Sequence, residues 1–140
     1  MPLTFVETMR GTLQDAQGAD HPVSFTVTAI AEGSGYFRLA GVATATPWAT
    51  DAAATGVLVL SPRFLRYRLR FAAPGGDWTI AGQKLPTLRA PLRSMTVLPV
   101  TLTDAMEVER ARGNMRFDLR DLPRFAASWI PRPPLLGHPA

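Results

Sequence analysis

Glu7, Tyr67 and Lys84 each place a polar or ionisable group on a strand face that is otherwise apolar. Glu7 shares its parity with Phe5 and Met9, and Tyr67 shares its parity with Leu65, Leu69 and Phe71. Lys84 follows Trp78, Ile80 and Gly82 at two-residue steps. A carboxylate on an apolar face is costly unless something pairs with it. A buried tyrosine hydroxyl likewise needs a partner. A few convergent polar groups in an apolar setting are what a small-molecule site requires. Glu7, Tyr67, Trp78 and Lys84 therefore form the candidate ligand-binding set, with Arg10, Lys84 or the arginines of 66–70 as expected partners for Glu7. The competing structural roles are a salt bridge for Glu7, core packing for Tyr67 and a snorkelling stem for Lys84.

A second set lies in Leu65-Arg66-Tyr67-Arg68-Leu69-Arg70-Phe71. Side chains alternate across a strand, so one face is apolar and the other carries Arg66, Arg68 and Arg70. With Trp129, these arginines are the candidate interaction surface. A nucleic-acid groove would interleave aromatics with the basic residues on one face. Here the aromatics take the opposite face, so no nucleic-acid partner is expected. The net charge is +4, and Lys84 is the only lysine in a chain of 15 basic residues. That bias, with the many Ala and Pro, is what GC-rich coding produces.

Catalytic chemistry has little support. With no cysteine, disulfides, thiolate metal sites and cysteine nucleophiles are excluded. No G-x-S-x-G, P-loop or helix-opening G-x-G-x-x-G is present. Gly33-Ser34-Gly35 reads as a hairpin turn. His21, in a polar loop, and His138, in the proline-rich tail, read as ordinary surface histidines. Glu107 and Glu109 read as one solvated strand face, and Asp118 and Asp121 as charges at a helix N-terminus. No catalytic residue, metal site or cofactor is expected, and the chain reads as non-enzymatic.

The elements that position these residues are short strands separated by turn signals. They fall at 3–13, 23–32, 36–46, 55–60, 64–72, 78–85, 92–104 and 106–118. Gly41 marks a close approach, and Pro99 an edge, bulge or bend. Residues 47–55 read as a loop or short helical turn. Leu119, Leu122, Phe125 and Trp129 then switch to helical spacing, with Asp121 as cap and Pro123 in the first turn. The expected fold is all-β: a small antiparallel barrel of about eight strands with a short C-terminal helix. One domain covers 1–130, and 131–140 is a proline-rich tail. No basic leader precedes Phe5, and no apolar run approaches the roughly 20 residues of a membrane-spanning helix. A cytoplasmic location is the expectation.

Four motifs together resemble the β-rich accessory domain found with cholesterol-oxidase-like flavoproteins of the glucose-methanol-choline class and in related bacterial proteins. They are Glu7-Thr8-Met9-Arg10-Gly11, the strand Leu65 to Phe71, Ile80-Ala81-Gly82-Gln83-Lys84, and Gly113-Asn114-Met115-Arg116-Phe117 leading to Leu122-Pro123-Arg124-Phe125. The chain departs from that pattern after Lys84, where the family carries an acidic, tryptophan-containing segment and this chain has Pro86-Thr87-Leu88. The resemblance implies an accessory barrel rather than an oxidase, with no flavin site of its own.

Two functions follow as expectations. One is a calycin- or lipocalin-like barrel that binds a small apolar or amphipathic molecule, lipid- or sterol-like. The other is an accessory module that docks to a flavoprotein oxidoreductase or self-associates as a homo-oligomer.

Overall fold

The computed structural model describes residues 4–33, 35–61, 63–84 and 97–117. In chain order the strands are β1 (Thr4–Gln14), β2 (Asp20–Gly33), β3 (Tyr36–Ala45), β4 (Ala49–Leu60), β5 (Leu65–Ala73), β6 (Gly76–Lys84), β7 (Val97–Thr103) and β8 (Glu109–Phe117). Each pairs antiparallel with the next, and β8 pairs back onto β1, closing an eight-stranded barrel. The expected all-β barrel is therefore formed. The expected helix from Asp121, with Trp129, Asp118, His138 and the tail, lies outside the described residues. Among the described residues, no helix is long and apolar enough to cross a membrane.

Alternation of apolar and polar residues builds the wall. On β5, Leu65, Tyr67, Leu69 and Phe71 are buried while Arg66, Arg68 and Arg70 are exposed. The same alternation puts Phe5, Glu7, Met9 and Leu13 of β1 inside. The interior is filled by side chains such as Met9, Phe25, Leu39, Leu58 and Leu102. Each contributes on the order of 1.5–3 kcal/mol by leaving water.

Local packing explains where sequence expectations shift. The alanine-rich segment expected as a loop or helical turn is the first half of β4. Alanine favours helix intrinsically, but the ladder from Ala43↔Ala52 to Tyr36↔Val59 overrides it. Ala54 pairs with Phe71, which pairs with Trp78, so a small inward residue sits beside two large ones. The close approach expected at Gly41 is present, because a Cβ there would lie 2.0 Å from the Thr26 carbonyl oxygen. Pro99 lies just past the last β6–β7 pair, Gly82↔Val100, at a local edge of the ladder.

The barrel has two ends. The β1–β2, β3–β4, β5–β6 and β7–β8 turns gather at one, called here the His21 end. At the opposite end, called the Lys84 end, β1 begins and β6 finishes.

Candidate functional site

Glu7 and Tyr67 meet inside the barrel. The Tyr67 hydroxyl donates a short hydrogen bond to Oε2 of the Glu7 carboxylate. Glu7 is 2% exposed and Tyr67 1%. The expected partners of Glu7 were basic, but the bond shown is to a neutral hydroxyl. Outward-pointing Arg66, Arg68 and Arg70 are on the wrong face to reach it. Burial, and then the charge of Glu7, hold the Tyr67 hydroxyl well above its ordinary pKa, so it remains a donor. Its ring also packs on Phe25, with centroids 5.4 Å apart.

Lys84 ends β6 on the parity of Ile80 and Trp78, and the hydrogen bond it donates goes to the backbone rather than to Glu7 or Tyr67. Its partner across the ladder is Leu65, two residues before Tyr67. The β6–β7 ladder runs only from Thr79↔Thr103 to Gly82↔Val100, so Gln83 and Lys84 extend beyond it. There Lys84 Nζ donates to the Val97 carbonyl at 2.6 Å, tying the two strands by a side chain where backbone pairing has stopped. Partial burial lowers the pKa of this amine.

Trp78 does not join this group. It is six residues from Lys84 along β6, roughly 20 Å at the rise of a strand. Its indole N–H donates to the Pro74 carbonyl at 2.9 Å, and its ring meets Trp48 at 5.1 Å. Arg110 covers both rings, 5.2 Å from Trp78 and 5.7 Å from Trp48. Trp129 lies outside the described residues.

His21 is not an ordinary surface histidine. It is on β2, its Nε2 is 2.8 Å from Asp15 Oδ2, and its Nδ1 is 3.0 Å from the Thr46 carbonyl. Its ring stacks on Trp48 at 4.4 Å. Both partners are acceptors, so both nitrogens donate only in the imidazolium form. The hydrogen bond to Asp15 raises the His21 pKa, and the same bond lowers that of Asp15. With both nitrogens occupied, His21 is a structural clasp over the His21 end rather than a base. No sequence motif flagged it, because Asp15, His21 and Thr46 converge only through the β1–β2 and β3–β4 turns.

The acidic residues of the β7–β8 region also move. Glu107 is in the turn before β8 with φ 64°, so it does not share a strand face with Glu109. Glu109 pairs with Arg112 at 2.5 Å. Asp104 holds the turn, accepting from the Met106 and Val108 amides and from Arg110. Among the described residues, no cluster of three or more histidines and carboxylates could hold a metal ion.

The barrel thus has a clasped aromatic end and, toward the other end, a buried Glu7–Tyr67 pair, with Lys84 bonded to the Val97 carbonyl at the rim. No protein-family model, curated protein or solved structure matches the chain.

Proposed function

We propose that this barrel binds one small amphipathic molecule, an apolar body with a hydroxyl or amine head, from the Lys84 end. The observation that carries the reading is the buried Glu7–Tyr67 pair. An interior of matched apolar side chains is often as stable as one holding buried charge, so the pair is an expensive choice for packing alone. When ionised, the Glu7 carboxylate only accepts hydrogen bonds, so it would suit a head that donates, and a carboxylate head would meet like charge. Eight-stranded barrels either fill with side chains or hold one small ligand. Here the described interior is well filled, which leaves room only for a small ligand near the Lys84 end and none for one running the length of the barrel. The up-and-down strand order is that of lipocalins, which supports the reading. Trp48, Trp78 and Arg110 pack over the other end.

The test is titration of the full chain with dodecanol, laurate and dehydroergosterol, followed by tryptophan fluorescence. Saturable dodecanol binding at one per chain, weaker for laurate and weakened by Glu7→Gln or Tyr67→Phe, is expected. Dehydroergosterol binding would extend the ligand size to a sterol. Equal binding of laurate and dodecanol, or no saturable binding of any probe, overturns the proposal.

A further inference from the structure

The outer wall carries a feature independent of the interior. The register aligns three rows across β3, β4 and β5: Tyr36–Val59–Arg66, Arg38–Val57–Arg68 and Ala40–Thr55–Arg70. All three rows face outward. Val57 and Val59 form a half-buried strip along β4, with the arginine rail of β5 standing beside it. A groove of about 560 Å³ runs beside Val57, lined by Glu32, Tyr36, Arg38, Val57, Arg68 and Arg70 among others, with Glu32 already paired to Arg38.

The charges on this wall are unevenly satisfied. Arg38 is neutralised by Glu32 at 2.6 Å. Arg66 is bonded to Gln83 and lies over the Phe64 ring at 4.7 Å. Arg68 and Arg70 make no hydrogen bond or ion pair among the described residues. Arg68 stands between Val57 and Ala81, with no carboxylate beside it on either neighbouring strand.

We infer that this groove docks an extended acidic segment of a partner protein. Arginines two apart on a strand repeat at roughly 7 Å, and so do alternate side chains of an extended peptide. A segment alternating acidic and aliphatic residues can set carboxylates on Arg68 and Arg70 and an apolar side chain on Val57. Arginine binds carboxylates in a planar two-point fork, which favours this pairing. A second copy of the chain is disfavoured, because the same face would bring arginine against arginine. On this wall β3, β4 and β5 are each paired on both sides, so docking is by side chains rather than by strand addition.

The test uses a labelled peptide of alternating Glu and Val, read by fluorescence anisotropy against the full chain. Binding is expected to weaken with salt and to fall by at least about tenfold in R68E/R70E. R10E/R116E makes the same change of net charge on the opposite wall, at an adjacent β1–β8 pair, and is expected to bind as the parent does. All four positions are exposed, and circular dichroism confirms that the variants fold. Equal loss in both variants, no binding of the peptide, or tighter binding to oligothymidylate or phosphatidylglycerol vesicles overturns the inference.

Discussion

The Tyr67 hydroxyl donates to the Glu7 carboxylate across the barrel interior, joining β5 to β1, two strands that share no ladder. Backbone pairing in a closed barrel links each strand only to its neighbours. This bond is therefore a tie through the core rather than around the wall. It also gives the interior a polar point with a defined acceptor.

Tyr67→Phe keeps the ring against Phe25 and removes only the donor. Loss of this bond is expected to destabilise the fold by about 1–3 kcal/mol, the cost of depriving a buried polar group of a partner. Urea unfolding measures it. Glu7→Leu made in the same chain should cost less than the two single losses added together, because the residues are in contact. Strict additivity would show that the two side chains do not interact in solution.

The Asp15–His21 clasp makes stability depend on pH with a definite sign. The folded His21 pKa is raised above its ordinary 6.5, so its contribution is fully present below 6.5 and is lost as pH rises through the folded value. Asp15 is lowered below 3.8, so its contribution is present above 3.8 and is lost as pH falls through its folded value. The clasp is therefore strongest between those limits. Proton NMR of the His21 ring should give a pKa above 6.5, and Asp15→Asn should bring it down. A His21 titration that ignores Asp15→Asn would contradict the geometry.

Closure of the barrel rests on a tight β1–β8 approach. A Cβ on Gly11 would lie 2.1 Å from the Asn114 carbonyl oxygen, against rigid backbone. Gly11→Ala must push the strands apart, and a loss of about 1–3 kcal/mol or more is expected in urea unfolding. Gly18, in the β1–β2 turn with nothing within 4 Å, has the space but has φ +80°. Gly18→Ala is therefore expected to cost only the left-handed backbone strain, about 1 kcal/mol.

Lys84 holds the seam where β6 and β7 cease to pair. Lys84→Met keeps a long apolar stem and removes the bond to Val97. Amide exchange at Leu98 and Val100 should quicken, with β1–β2 amides unchanged. The global loss should be only about 1 kcal/mol, as for a single partly solvated hydrogen bond. Unchanged exchange at the seam would show that Lys84 does not hold it.

Much of this fold is legible in period-two alternation. Leu65 to Phe71 names its own inward and outward faces. Glu7, Met9 and Gly11 lie along one face of β1, and Ile80, Gly82 and Lys84 along one face of β6. Alternation does not say which strand stands opposite across the core, so it left the Glu7–Tyr67 bond invisible and suggested arginine partners instead. It also assigned Trp78 to the Glu7 group by face alone, although position along β6 puts it at the other end. The His21 clasp was hidden for a different reason. Its three partners come from two turns, and turn convergence depends on barrel closure. Alanine-rich β4 misled because intrinsic propensity is weak against a ladder already set by β3.

The most direct measurement of ligand binding is native mass spectrometry of the full chain purified from its natural host, followed by denaturing extraction. The account predicts a bound small molecule at near one per chain, released on denaturation, with a hydroxyl or amine head and an apolar body. It also predicts that Tyr67→Phe prepared in the same way carries less of it. A clean ligand-free mass for the native chain would contradict the account.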